Sequence, residues 1–266
     1  MVSNHKELGF SLPVRTEAEA KDYLEQEGVL DFLNAVKGSS GQIPQDLRDL
    51  ARLYWLVVSR RVFTILEFGV GWSTLVLAAA MKKNQGLWHE LVDPPKIRNQ
   101  MPFSVHSVDA SSEWIENAKR LLPDELSGYV TIHYSGLMAG TFNNRMCHYY
   151  ESIPNVVPDL IYLDAPHPAD VRGEVNGLTW ANPDRTVLSG DPLLMESTLL
   201  PGTCILVDGR TNNARFLLNN LQRPWGVAHD AVGDVTILEL QEPPLGNINE
   251  RTLKYCLGED YFGRIG

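Results

Sequence analysis

The segment ILEFGVGWST, Ile65 to Thr74, is an apolar run that ends in an acid and a Gly-x-Gly turn, with a helix expected to start near Ser73. Glycines at 69 and 71 remove side chains where backbone must take positive φ or pass close to a ligand, and Ser73 is placed to cap the helix. Such a turn can cradle a nucleotide-bearing ligand, or can be only a tight strand-to-helix connection. Neighbouring residues discriminate among ligands. A pyrophosphate-binding fingerprint needs a third glycine near position 74 and disfavours a carboxylate such as Glu67 beside the diphosphate, whereas position 74 is Thr.

Other residues suggest further chemistry. Asp208 closes the apolar run TCILVD, with Asn212 and Asn213 close behind it, and Asp164 closes PDLIYLD. Two carboxylates and an amide oxygen could hold a hard cation such as Mg²⁺. His167, three residues beyond Asp164, is placed to act as a general base, or is a loop histidine held between Pro166 and Pro168. Trp180, Asn182 and Arg185 lie in the long turn-rich segment from Ala169 to Met195, where they can contact a substrate or simply pack. Trp72 could face a cation through its π surface or pack between helix and sheet.

A regular frame positions these residues. From Val62, short apolar runs (VFTILEFG, FSVHSVDA, VTIHYSG, DLIYLDA, TCILVDG) alternate with helical patterns (STLVLAAAMKK, SEWIENAKRLL, LLMESTLL, NARFLLNNL). Runs without in–out alternation suit strands buried on both faces, so the spacing predicts a doubly wound α/β domain with a mostly parallel sheet. Only a Gly233-containing turn separates GVAHDAV from DVTILEL, which leaves no room for a crossover and predicts a C-terminal antiparallel hairpin. Residues 15 to 60 read as helical, broken at Gly38 to Gly41, with a second helix from Pro44 to Ser59; they cap the sheet or form a lid. The organisation expected is an N-terminal helical cap (1–60), the α/β domain (61–241) and a C-terminal tail (242–266). For the tail, with Pro243-Pro244 and no strong period, an ordered arm, an oligomer contact and a frayed end all stay open.

Bulk properties narrow the function. A length of 266 residues with 44% hydrophobic side chains can bury one substantial core. No stretch reaches the roughly 20 apolar residues of a membrane span, and MVSNHKELGF lacks a signal-peptide pattern, so a cytoplasmic location and no membrane partner are expected. A net charge of −10 opposes the counterion release that drives nucleic-acid binding, so no nucleic-acid partner is expected. Cys147, Cys204 and Cys256 form no CxxC pair and read as reduced thiols.

With Glu67, Gly69 and Gly71 in E-x-G-x-G order after a strand, the chain resembles the class I S-adenosylmethionine-dependent methyltransferases, from Val62 to Leu240. The resemblance implies a seven-stranded sheet and S-adenosylmethionine as cofactor, with Glu67, Gly69, Gly71 and Ser73 among the residues that bind it. It implies that Asp109, with Ala110 beside it, binds the ribose hydroxyls, that Ser135-Gly136-Leu137 lies at the adenine end, and that Asp164 faces the methyl-transfer site. It also departs from the family's metal-dependent branch: Asp208 is followed by Gly209, so the second ligand of the metal pair is missing and no metal ligand is assigned.

Methylation of a small molecule, on oxygen, is the leading reading, with Asp164, His167 and Asp208 as the catalytic candidates and a homo-oligomer left open. The alternatives are an NAD(P)-dependent oxidoreductase and a methyltransferase-like domain that binds without catalysis. Asp93 has the roughly 20-residue spacing from the turn that a nucleotide-binding acid usually has, but Pro94-Pro95 would obstruct a helix start after it, whereas SVDASSEWIENAKRLL reads as strand, turn and helix. Asp109→Ala is therefore expected to abolish S-adenosylhomocysteine binding and Asp93→Ala to leave it intact; calorimetric titration of both variants checks the assignment.

Overall fold

The structure, a computed structural model, describes residues 6–8, 14–35, 46–164, 166–180 and 188–265. In chain order its elements are β1 (Lys6–Glu7), α1 (Glu17–Gln26), α2 (Val29–Ala35), α3 (Leu47–Ser59), β2 (Thr64–Phe68), α4 (Trp72–His89), β3 (Ser104–Asp109), α5 (Ser112–Leu121) and α6 (Asp124–Ser127). Then follow β4 (Val130–Tyr134), β5 (Leu137–Phe142), β6 (Arg145–Tyr150), β7 (Leu160–Leu163), β8 (Val171–Arg172), α7 (Asp191–Met195), β9 (Cys204–Asp208), α8 (Thr211–Leu218), β10 (Trp225–Asp230), β11 (Val235–Leu240), α9 (Asn247–Leu257) and α10 (Asp260–Arg264).

The main sheet runs β1-β10-β11-β9-β7-β2-β3-β4. Seven of these strands make the expected mostly parallel sheet, and the two-residue β1 adds an eighth at the edge, parallel to β10. β11 is antiparallel to both its neighbours, β10 and β9, so the C-terminal hairpin closes the sheet with β11 on the inside. Strand order reverses between β2 and β7, because the chain goes from β2 outward through β3 and β4 before returning to β7 and β9. Crevices at such a switch point, beyond the carboxyl ends of the strands, are where open α/β sheets bind ligands.

Alternate side chains of the central strands feed two cores. Ile65, Leu160, Tyr162, Cys204 and Leu206 meet α1 to α4 on one face. Leu66, Phe68, Ile161, Leu163, Ile205 and Val207 meet α8 and the β5–β6 hairpin on the other. That double burial is why the strands read as continuous apolar runs.

The N-terminal helices divide differently from the expectation. Gly28, at φ +73, ends α1 and starts a second short helix, while the expected break at Gly38 to Gly41 lies outside the described residues. α3 starts at Leu47, where the Asp46 carboxylate accepts from the Arg48 N–H at 2.8 Å. α1 to α3 share the core of one sheet face. α4 runs on to His89, and the loop carrying Asp93 and Pro94-Pro95 begins after it. Asn84, buried within α4, donates to the carbonyls of Val57 and Val62 and pins the α3–β2 connection.

A separate three-stranded sheet, β6-β5-β8, has no counterpart in the sequence-based expectation. Its hairpin turns at Asn143-Asn144, both at positive φ (49° and 61°), as a two-residue turn between twisted strands requires. The tail is an ordered arm: Leu253 and Tyr261 are buried, and the Tyr261 hydroxyl donates toward the carbonyls of Leu240 (3.0 Å) and Glu242 (2.9 Å). Leu253, Leu257 and Tyr261 recur at helical spacing, a period hidden by the polar residues around it.

Glu239 of β11 ties three parts together. Arg60, at the end of α3, meets it at 2.7 Å and also donates to the Gly202 carbonyl; Arg264 of α10 meets it at 3.1 Å. Burial alone would raise the Glu239 carboxyl, but the two guanidinium groups overcome this and hold it below its ordinary value. Removing one partner of a buried pair strands the other's charge, so Glu239→Ala is expected to lower stability by about 3–5 kcal/mol, read as a reduced urea midpoint; a loss below about 1 kcal/mol would contradict this account.

Candidate functional site

The turn after β2 is built around Glu67, which is 0% exposed. Its Oε1 accepts from the Ser73 hydroxyl at 2.6 Å, and its Oε2 accepts from the hydroxyls of Thr74 (2.7 Å) and Ser107 (2.5 Å). Thr74 Oγ1 in turn accepts from the Gly71 N–H at 3.0 Å. Ser73 is thus not the helix cap expected from sequence: α4 starts at Trp72 and Thr74 takes the capping role. Burial drives the Glu67 carboxyl up to about 7, and the three hydroxyls only partly offset this.

Gly69 sits at φ +119 and donates to the Val108 carbonyl at 2.8 Å, a backbone conformation costly for any residue with a Cβ. Gly71 is extended, and a Cβ built there would meet nothing within 4 Å, so the turn presents bare backbone on that side. Trp72 packs against the core shared with α3 and α4, the packing alternative of the two left open.

On the adjacent strand, Asp109 ends β3, while Asp93 lies in the exposed loop after α4. Asp109 Oδ1 accepts from the Ser111 N–H at 2.7 Å, and the Ser111 hydroxyl caps α5 by accepting from the Trp114 N–H. Burial pushes the Asp109 carboxyl up to about 6 against the pull of the Ser111, Val70 and Ala110 N–H groups. The Val70 contact links this acid to the glycine turn.

On the other side of β2, Asp164 and Asp208 directly follow the paired residues Leu163 and Val207. The Tyr162 hydroxyl donates to Asp208 Oδ2 at 2.7 Å. Asp164 is itself exposed but walled by protein; that surrounding and the Asp208 charge push its carboxyl up to about 7. Arg210 donates to the carbonyls of Asp164 (2.8 Å) and Pro166 (3.1 Å) and fixes the loop between them. Asn213 is buried, and its Oδ1 accepts from the Ser189 N–H at 3.0 Å. Among the described residues no group of three His, Cys, Asp or Glu side chains is arranged to hold a metal.

His167 is exposed, and its Nδ1 accepts from the Ala169 N–H at 3.2 Å. An accepting Nδ1 leaves the proton of the neutral ring on Nε2, so the outward nitrogen is a donor, which suits hydrogen bonding better than proton abstraction. Gly136 is crowded by the Glu151 carboxylate, and Leu137 is fully buried in β5, in register with Tyr150 and Val171. Ser135 lies nearer the site, donating its N–H to the Asp109 carbonyl at 3.0 Å. Trp180 is buried at 2% exposure; Asn182 and Arg185 lie outside the described residues.

The sequence-predicted acids Asp109, Glu67, Asp164 and Asp208 thus line up along the carboxyl ends of β3, β2, β7 and β9. Sequence reasoning missed Tyr162, the holding role of Arg210, and Tyr150, whose ring stacks on Phe68 at 5.3 Å directly before the glycine turn. The signal for Tyr150 was the Asn-Asn dipeptide between two apolar runs, which marks the hairpin that carries it.

By sequence the chain matches no protein-family model and no curated protein. Among solved structures it is similar to the SAH-bound methyltransferase PaMTH1 of Podospora anserina, at 14% identity and TM-score 0.48, over 88% of this chain and 100% of that one. It is also similar to the O-methyltransferase TomG of Streptomyces achromogenes in complex with SAM (14%, TM-score 0.42, 84% and 88%). A methyltransferase of Geobacter sulfurreducens matches at 14% and TM-score 0.44, over 85% and 98%. At these scores the likeness assigns neither activity nor ligand to this chain.

Folded Glu67 keeps its proton up to about pH 7, while an ordinary glutamate releases it near 4.5. Between those values the folded state binds more protons, so this group makes stability fall as pH rises. Glu67→Gln cannot titrate. From pH 5 to 8 the wild type is therefore expected to lose on the order of 2–3 kcal/mol relative to the variant; thermal melts of both across that range test it, and a constant difference would refute it.

Proposed function

We propose that this chain is an S-adenosylmethionine-dependent methyltransferase acting on oxygen of a small molecule. The observation that supports it best is the arrangement at the switch point: a positive-φ glycine turn braced by Glu67, with Asp109 on one neighbouring strand and Asp164 on the other. The bare backbone at Gly71 leaves room for a ligand to approach, and Asp109 has the strand-end position and acceptor oxygens to take hydrogen bonds from two ribose hydroxyls. Four carboxyl groups along one edge also suit a cationic ligand better than a diphosphate, which disfavours the nicotinamide reading.

In this reading Gly69, Gly71 and Asp109 hold the cofactor, with Ala110 alongside, while Glu67, Ser73 and Thr74 hold the turn. Bound S-adenosylmethionine supplies a methyl group on a positively charged sulfur, transferred in line to the acceptor oxygen. The chain's own contribution is alignment, worth roughly 7–11 kcal/mol in well-oriented reactions, and removal of the acceptor proton. Asp164 is the group placed for that removal: exposed, at the strand end, and raised to about 7 so that it takes a proton readily near neutral pH. Asp208, braced by Tyr162, adds to the effect of the surrounding protein in raising this value, and Arg210 fixes the backbone that carries Asp164. His167 would serve as a donor to the acceptor or its neighbour.

Calorimetric titration with S-adenosylhomocysteine tests the cofactor assignment: saturable one-to-one binding supports it, and no binding at millimolar ligand defeats it. Asp164→Asn is expected to reduce turnover by roughly 10²- to 10⁴-fold with product affinity little changed. Wild-type turnover should rise with pH around a midpoint near 7, as the carboxylate forms. Asp208→Asn should move that midpoint downward by relieving repulsion; an unmoved or raised midpoint would remove Asp164 from the role of base.

A further inference from the structure

Beside this site three neighbouring residues carry polar atoms that have no hydrogen-bond partner among the described residues: both ring nitrogens of His148, the hydroxyl of Tyr150 and Nε1 of Trp180. All three are deeply buried, at 0%, 6% and 2% exposure. His148 and Tyr150 lie two residues apart in β6 and so project to the same side of the small sheet. Trp180 meets the His148 ring edge-on at 6.2 Å between centroids, and Tyr150 stacks on Phe68. Backbone demands nearby are met, with Asp191 accepting from the Tyr150 N–H (3.2 Å) and the Ser189 hydroxyl (3.3 Å). Only the side-chain tips are left over.

Buried polar groups are nearly always paired, so a cluster of unpaired ones is a site for ordered water or for a ligand that completes the bonds. The cluster adjoins both halves of the reaction site. Asp109 is near enough for its charge to act on Tyr150, and Arg210, which holds the Asp164 carbonyl, acts on both Tyr150 and His148.

We propose that His148, Tyr150 and Trp180 recognise the acceptor, and that the acceptor is a small, flat, uncharged ring bearing hydroxyl groups. This rests on the methyltransferase reading above and adds the substrate class to it. The donor and acceptor inventory sets the chemistry. Trp180 Nε1 can only donate, while Tyr150 can do both. His148 is held neutral by burial and by Arg210, which push it down to about 3, so it offers one donor and one acceptor. A hydroxyl group matches that mixture. Charge is disfavoured in either sign: a cation would meet Arg210, and a carboxylate would meet Asp109 and Asp191. The aromatic faces of Phe68, Tyr150 and Trp180 favour a planar ring.

The test uses 4-fluorophenol as probe, followed by ¹⁹F NMR on the full chain at saturating S-adenosylhomocysteine. Saturable broadening of the probe signal is expected for the wild type, and at least tenfold weaker binding for Tyr150→Phe, Trp180→Phe and His148→Leu, each with product affinity within about twofold of wild type. Tyr150→Phe adds a second readout. Deleting an unpaired buried hydroxyl should leave Tm unchanged or raised while probe binding falls. Probe binding that is absent, or equal in all three variants, overturns the proposal, as does a Tyr150→Phe protein that melts several degrees lower and binds normally, the mark of a water-filled structural cluster. Failure to bind S-adenosylhomocysteine would instead strike the cofactor assignment, a separate outcome read in the calorimeter.

Discussion

A carboxyl group taken fully out of water, with three hydroxyls closing around it, is the constraint on which the site depends. Glu67 is the last polar residue of β2 before the turn, and its two oxygens reach into α4 through Ser73 and Thr74 and across to β3 through Ser107. One side chain therefore sets the angle between strand and helix and the spacing of two adjacent strands. The Thr74 hydroxyl passes the constraint on to the Gly71 N–H, so the backbone of the turn is held from behind. Burying this acid is unfavourable in itself, which shows in its raised proton affinity. The hydroxyls return part of that loss, and what remains is a turn whose open side can be all backbone.

The same edge carries a second balance. Burial raises Asp109 and Asp208, while Asp164, though exposed, is raised by the protein around it and by its neighbour Asp208. Arg210 spends its hydrogen bonds on carbonyl oxygens, so its charge tempers Asp164 without pairing with its carboxylate. The edge stays net acidic and responsive to pH, and the loop that bears Asp164 stays fixed. Tyr162 and the Phe68–Tyr150 stack fill the space beneath.

The main sheet was legible in the sequence because strands buried on both faces print continuous apolar runs, and the acids that close those runs mark its carboxyl edge. Ile65, Leu66 and Phe68 illustrate this, each feeding one of two cores. The small sheet was not legible: β5 and β6 are half-exposed, and their single strong signal is a pair of asparagines. The buried role of Glu67 was likewise hidden. A sequence shows an acid beside glycines but not the Ser107 hydroxyl, forty residues onward, that turns it inward. Arg210 was visible as a cation, while its choice of carbonyls over a carboxylate follows from loop geometry alone.

The position of β11 bears on how the protein is made. This strand lies between β9 and β10 although it follows both in the chain, so neither can find its final neighbour on that side until residues 235–240 have emerged. During synthesis the nascent chain holds a half-built sheet with two apolar strand edges uncovered, the condition under which intermediates associate wrongly. The Arg264 half of the clasp on Glu239 comes later still, since it needs α10. Completion of the main sheet therefore waits on residues 235–240, the segment that covers both edges at once.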